Sequence, residues 1–486
     1  MTTRALASSA VAVVLLVSRA ASAQSQPTAP NSPVWLTDRR FNEGQGLRAG
    51  DVELHPAIGG QVGYDSNYLL RTDKVGGFSN GPPLSPVIPA LEFTVTPSLY
   101  LSTVGALRRS EEGGGAPAPI AFRAGINATY RELVGLSSDP ASGSASNDVS
   151  QQRNVSGVAD ARLDILPERP WGGAIYANYT RSIQPNTVDA NPDLSFNSDV
   201  IGVGAEVIAQ PGSGTLDWHL GYHINATIFE QSAGTPYDNV VHQIYTQGRW
   251  KFRPRTAFIY DASLRFISYS ADTSVTQVNL DTSTPVRARI GLNGLITDRF
   301  SVLAMIGWGA SFYDTTLPSQ PQFDSIIAQG ELRWYLSASP GIAKLTDVGL
   351  ALSSVALGYT RDFQNSYLGS FYTQDRGYLK FNYLYGSSVV VSLEGGVGAI
   401  EYPNLVWANG DERHNPFTDV RADATLFSEY RFTQTFGLNA TLRYTENISN
   451  VALQIADTKP PSTSPADQYA MEWKRFEAYL GVRWFL

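Results

Sequence analysis

The chain has 486 residues, 36 Lys and Arg against 44 Asp and Glu, a formal net charge of −8, 43% hydrophobic residues and no cysteine. So modest an acidic balance argues against nucleic acid as a partner. The missing cysteines exclude a disulfide framework, so an exported chain of this size needs another device to hold it together. The N-terminus reads M-T-T-R-A-L-A-S-S-A-V-A-V-V-L-L-V-S-R-A-A-S-A-Q, with one cation at Arg4, an apolar run from Ala10 to Val17 and the small-x-small pattern of Ala21-Ser22-Ala23. That is the pattern of a secretory signal over residues 1–23, and the run is too short to span a bilayer as a helix. Residues 24–50 are rich in proline and polar side chains and read as an arm on the periplasmic side.

From Asp51 to Leu486 one texture persists. Val52, Leu54, Pro56, Ile58, Gly60, Val62 and Tyr64 alternate with Glu53, His55, Ala57, Gly59, Gln61 and Gly63. A period of two puts the sets on opposite faces of a strand. The pattern recurs at Leu91–Ser102, Ile120–Arg131, Val155–Ile165, Trp171–Thr180, Leu216–Ile228, Val286–Ile296, Phe300–Phe312, Val420–Phe432 and Phe476–Leu486. Such segments number about eighteen, with sixteen possible, each of roughly 10–15 residues, the reach of a tilted strand crossing a bilayer. The alternation is poor over Leu336–Tyr359 and Thr373–Tyr385.

The connections alternate in size. Long polar links at Asp65–Ala90, Leu136–Gln152, Arg181–Ser195, Tyr269–Ser283, Pro403–Pro416 and Glu446–Met471 are interleaved with short ones at Gln210–Gly214, Arg253–Arg255, Thr297–Arg299, Gly386–Ser387 and Thr433–Thr435. Aromatic residues end the apolar faces at both levels: Trp171, Trp250, Phe252, Phe300, Trp334, Tyr385, Phe432, Phe436 and Trp484 beside short turns, and Tyr64, Tyr130, Tyr179, Phe312, Tyr359 and Tyr444 near long loops. Two belts of amphipathic rings match the two interfaces of a membrane. The expected fold is therefore all-β, a transmembrane antiparallel up-and-down barrel integral to the bacterial outer membrane, over residues 51–486. Closure removes the edges that lipid would make costly. The end of the chain alternates through Trp484 and Leu486, the kind of C-terminal strand that the barrel assembly machinery recognises.

The stretch T-L-D-W-H-L-G-Y-H-I-N-A-T-I-F looks at first like a metal site. On an extended strand, residues two apart lie about 7 Å from each other and four apart about 13 Å, so His219 and His223 do not share an ion bound at near 2 Å. Asp217, His219 and His223 are read instead as lumen lining. With them on the predicted inner face stand Arg123, Arg162, Arg249, Arg265, Arg287, Arg289, Arg333, Arg421, Arg443, Glu394, Tyr245 and Tyr335. Arg287 and Arg289 form the most concentrated positive spot. Nearly balanced signs favour side chains paired across the wall, and inward tyrosines offer stacking surfaces for sugar rings. No nucleophile–base–acid set stands out, and no cofactor or metal is expected. The loops Asp65–Ala90 and Glu446–Met471 are the lid or plug candidates.

One stretch is more specific. In G-L-R-A-G-D-V-E-L-H-P-A-I-G-G-Q-V-G-Y-D-S-N-Y-L-L-R, the residues Gly46-Leu47-Arg48, Gly50, Leu54–Pro56 and Gly63-Tyr64-Asp65-Ser66-Asn67 resemble the β-barrel porins encoded beside exopolysaccharide-export genes in Gram-negative bacteria. The pattern covers about 25 residues, and elsewhere the likeness is one of architecture. The resemblance implies an exit channel for a secreted polysaccharide, working with a periplasmic polysaccharide export protein. The runner-up is a general or substrate-selective diffusion porin for small solutes, and a closed-barrel enzyme or adhesin is a third reading.

Overall fold

A computed structural model describes residues 46–486 except for 73–86, 104–118, 137–148, 150–153, 168, 183–196, 212–214, 231–237, 271–280, 315–320, 337–352, 367–368, 386–387, 407–411, 434 and 455–467. The expected signal sequence and most of the expected arm lie outside these residues. The wall consists of β1 (Val52–Asp65), β2 (Ala90–Thr103), β3 (Ile120–Gly135), β4 (Asn154–Ile165), β5 (Trp171–Ser182), β6 (Ser198–Ala209), β7 (Leu216–Phe229), β8 (Asn239–Arg253) and β9 (Thr256–Tyr269). It continues through β10 (Ser283–Leu295), β11 (Phe300–Tyr313), β12 (Phe323–Tyr335), β13 (Ser354–Ser366), β14 (Gly369–Tyr385), β15 (Val389–Tyr402), β16 (Phe417–Arg431), β17 (Phe436–Ile448) and β18 (Trp473–Phe485).

Each strand pairs antiparallel with the next, and β18 returns to β1 from Ala57↔Phe485 to Asp65↔Glu477. The sheet is thus a closed barrel of 18 strands. A further short strand, Leu47–Ala49, turns at Gly50-Asp51 and pairs with Val52–Leu54, below the point where β18 ends. The main-chain N–H of Leu486 donates to Pro56 O at 3.1 Å beside it. Closure is the physical reason such a chain tolerates lipid, because each unpaired backbone group in hydrocarbon costs several kcal/mol.

The alternation has the outcome the sequence leads one to expect. Along β7, Leu216, Leu220, Tyr222 and Ile228 are exposed, while Asp217, His219 and His223 lie on the opposite, inner face. Outward exposure of large apolar side chains runs all round the wall, at Ile175, Ile290, Ile306, Leu357, Val397 and Leu480 among others. In water such a surface is an aggregation liability, but against acyl chains it is the solvated state. Aromatics anticipated beside short turns, including Trp171, Trp250, Tyr385 and Phe432, are likewise exposed on this outer face. Tyr64, Tyr130, Phe312, Tyr359 and Tyr444 form the corresponding level near the long loops.

Both poorly alternating regions are strands in part. Ser354–Ser366 and Gly369–Tyr385 form β13 and β14, joined at the long-loop end by residues 367–368. This connection is the short one among long loops. Its strands also depart from the wall: β13 pairs with β12 only as far as Arg361↔Ala328, so Phe323–Ile327 of β12 pair with β11 alone.

Candidate functional site: the barrel interior

Three side-chain systems occupy the inner face. The first closes the seam. The Asp65 carboxylate, wholly buried, accepts from Arg475 Nε at 3.0 Å and Nη2 at 2.5 Å, and from the Asn67 N–H at 2.9 Å. Ser66 Oγ accepts from the Phe476 N–H at 2.7 Å, and the Ser66 N–H donates to Phe476 O at 2.9 Å. Asn67 Nδ2 donates to Lys474 O at 2.8 Å and to Arg71 O at 2.7 Å. Gly63 leaves room for the Tyr479 ring, because a Cβ there would lie 2.1 Å from Tyr479 Cδ1. Around this clasp Arg443 pairs with Glu477 at 3.0 Å, and Arg131 with Glu92 at 2.9 Å. Gly63-Tyr64-Asp65-Ser66-Asn67 therefore ties the first strand to the last. The Gly63–Asn67 part of the exopolysaccharide-porin resemblance thus has a structural task at the seam, while Gly46–Arg48 and Gly50 belong to the short strand and turn below it.

The second system lines the wall from β4 to β8 toward the short-turn end. Arg162 bridges Asp164 at 2.6 Å and Glu206. His219 lies between Asp217 at 2.9 Å and Glu206 at 3.5 Å, and Arg249 reaches Asp217 at 3.0 Å. Tyr245 donates to Glu206 Oε2 at 2.9 Å and shares a 2.6 Å hydrogen bond with Tyr176. His223 belongs to a different environment, its ring 5.4 Å from that of Tyr176 and its Nδ1 3.4 Å from Asn225 Nδ2. The two histidines share no direct partner, and among the described residues no group of three or more His, Asp or Glu side chains is placed to hold a metal ion. Tyr176 is 3% exposed, which leaves it no free face for a sugar ring.

Opposite, Arg376 joins Asp423 at 2.6 Å and Glu394 at 3.2 Å, and Lys380 also reaches Glu394 at 3.2 Å. Arg333 pairs with Glu331 at 2.6 Å, and Tyr378 donates to Glu331 Oε2 at 3.0 Å. Arg421 stands 5.5 Å from the Trp473 ring centroid. Tyr335 ends β12 opposite Ser354, and Arg123 pairs in register with Arg162 on the same inner face. Trp484 points outward between Phe436 and Ile58. Alternating acids and bases bound to one another stiffen the wall and leave little net field.

The third system is the inturned tip of the β13–β14 hairpin. Having left β12, residues 362–366 and Phe371 lie against the inner faces of β10, β11 and β12. Phe363 stacks on Phe323 at 4.2 Å, Phe371 meets Phe323 edge-on at 5.2 Å, and Tyr313, Ile327, Phe323, Phe363 and Phe371 form one buried apolar cluster. Gly309 permits this, since a Cβ there would be 2.7 Å from Phe363 Cε1. Arg287 holds the hairpin from two strands beyond β12: it pairs with Asp362 at 3.0 Å, donates to Phe363 O and lies 4.1 Å over the Phe363 ring. Asn365 Nδ2 donates to Ser283 Oγ at 2.6 Å. Arg289, its neighbour on β10, is occupied by Asp261 at 3.0 Å on β9. The positive spot expected at Arg287 and Arg289 is therefore largely neutralised.

Both loops expected to act as lids contribute at their described ends. Tyr68, Leu69 and Ile88 bury themselves with Ala90, Leu133 and Val149. Val451 and Leu453 pack with Ile400, Tyr402, Leu405 and Phe417. The central parts of those loops lie outside the described residues. The hairpin was not foreseen. The poorly alternating stretches Leu336–Tyr359 and Thr373–Tyr385 flank the tip without covering it, and the readable clue is Phe363 and Phe371 either side of a two-residue connection.

No protein-family model matches the chain, and no curated protein matches it in sequence. Among solved structures it is similar to Pseudomonas aeruginosa OpdL, at 10% identity and a TM-score of 0.41 over 90% of this chain and 99% of that one. It is similar to a BenF-like porin from Pseudomonas fluorescens Pf-5, at 10% identity and a TM-score of 0.44 over 90% and 99%. It is also similar to the FrpB iron transporter from Neisseria meningitidis, at 8% identity and 0.42 over 91% and 82%. Likeness this distant, shared between a porin and an iron transporter, carries no argument about function, and the barrel rests on its own strand register.

Proposed function

We propose that the protein is an outer-membrane channel for small polar solutes. The observation that carries this reading is a closed barrel with an apolar outer face and a charged inner face, narrowed at the long-loop end by segments that fold inward. Eighteen strands enclose an aqueous space unless the interior is filled. Water reaches the inner face well inside the wall: Val158, opposite Asn127 and Thr180, is 41% exposed, and the Arg249 side chain is 47% exposed. A polymer exit needs an unbroken wide passage, whereas here Asp362 and Phe363 of the hairpin are pinned over the wall by an ion pair and an aromatic stack.

Export of a polysaccharide with a periplasmic partner then draws no support from the Gly63–Asn67 part of the first-strand motif, which the seam employs. Liposomes carrying the purified barrel test the proposal. Swelling in monosaccharides and small disaccharides, falling off with solute size, is expected. No swelling with any sugar, together with loss of surface polysaccharide in a complemented deletion strain, would replace this reading by the export one.

A further inference from the structure

The inner wall beneath the inturned hairpin carries more positive charge than its own strands neutralise. Arg289 is matched by Asp261 of the wall, but Arg287 is matched only by Asp362, which comes from the hairpin. Arg265 stands beside them. Ser263 faces Arg287 across β9 and β10, and Arg265 is two residues further along, a diagonal spacing of about 7–8 Å. No carboxylate among the described residues ion-pairs with Arg265, and its Nε is buried without a hydrogen-bond partner. In register with it, through Gln243, comes His223, two strands away and so at about 10 Å. His223 is 9% exposed, but its Nε2 is turned the other way, over Gly202 of β6, so it is no part of the arginine patch.

With the hairpin in place the patch thus holds two arginines and one carboxylate. Without it, the wall would present two guanidinium groups and no anion. A buried guanidinium lacking a counter-charge is costly, and the planar fork of arginine matches a carboxylate better than any neutral group. Asp362 shows which chemistry the site accepts. It is covalently tethered and held by the stack of Phe363 on Phe323, so it is present at high local concentration, yet it pairs with Arg287 and leaves Arg265 Nε without a hydrogen-bond partner.

We propose that Arg265 and Arg287 form a subsite for one carboxylate-bearing small solute such as a sugar acid, and that Asp362 is its built-in competitor. A solute carboxylate engages Arg265 first and then takes Arg287 from Asp362, which frees the hairpin tip from the wall. The proposal deepens the channel reading by naming a solute class, and rests on that reading only for how the solute arrives.

Calorimetric titration of the detergent-solubilised barrel with glucuronate and with glucose tests it, using wild type, Arg265→Gln, Arg265→Lys and Asp362→Asn, each checked for folding by its heat-modifiable gel mobility. Glucuronate is expected to bind, with glucose weaker by about tenfold or more, the loss of one charge-assisted contact. Arg265→Gln should weaken glucuronate by a similar factor, Arg265→Lys should restore part of it, and Asp362→Asn should tighten it by removing the competitor. Equal affinity for the two sugars, indifference to Arg265→Gln in a folded protein, or no glucuronate binding by either wild type or Asp362→Asn overturns the proposal. The two readings separate cleanly. Arg265-dependent binding in a barrel that conducts no ions sinks the channel and keeps the subsite, whereas conduction with binding indifferent to Arg265 does the reverse.

Discussion

Removing Asp65 should loosen the seam more than removing most other acids in the wall. Its carboxylate is 0% exposed and takes two bonds from Arg475, at 3.0 and 2.5 Å, as well as the Asn67 N–H at 2.9 Å. In Asp65→Ala the buried Arg475 keeps only Glu477, at 3.2 Å, and the Asn67 N–H loses its acceptor. Breaking one partner of a buried pair costs about 3–5 kcal/mol. The surviving Glu477 contact puts the expected loss at the low end, about 3 kcal/mol, a factor of roughly 150 in the folding equilibrium. Urea unfolding of the barrel in lipid vesicles, followed by gel mobility without boiling, measures it. The double variant Asp65→Ala/Arg475→Ala should then be less destabilised than the two single losses added together, with a coupling of about 2 kcal/mol. Additive losses within about 0.5 kcal/mol, or an Asp65→Ala barrel as stable as wild type, would refute the clasp.

Other substitutions probe the remaining parts. Gly309→Val places side-chain atoms where the Phe363 ring lies, so the hairpin should leave the wall and single-channel conductance should rise while folded gel mobility persists. Leu480→Arg puts a charge on the lipid face of β18 and should destabilise by about 2–4 kcal/mol if it sits near mid-bilayer, as read from vesicle unfolding. Glu206→Gln removes the acid shared by Arg162, His219 and Tyr245. Reversal-potential measurements should then show a shift toward anion selectivity, because Arg162 keeps only Asp164.

Period-two alternation made most of the wall legible because lipid and water impose opposite demands on its two faces. That constraint is strongest on strands such as β7, where Leu216 to Ile228 alternate without a break. It weakens where a strand leaves the wall. Phe363 and Phe371 keep the phase of the lipid-facing Leu357, Tyr359 and Leu379, yet they pack on the inner face of the neighbouring wall, so alternation by itself does not show that the hairpin turns in. The inner charges were legible as a set, but their pairing was not. Arg287 finds Asp362, and Arg376 finds Asp423, across distances in sequence that no spacing rule reaches. Arg475 and Asp65 stand at opposite ends of the chain and meet only because the barrel closes. The motif around Asp65 was visible as a pattern, while its task required the position of the last strand.

The most direct test of the channel uses the absence of cysteine from the chain. Single cysteines are introduced at Val158, on the inner face, and at Leu220, on the outer face. Planar-bilayer conductance is recorded before and after a charged, membrane-impermeant thiol reagent. The account predicts ion conduction by both proteins and a stepwise conductance change only for Val158→Cys. Absence of conduction, or a Val158→Cys channel untouched by the reagent, would contradict a water-filled path through the barrel.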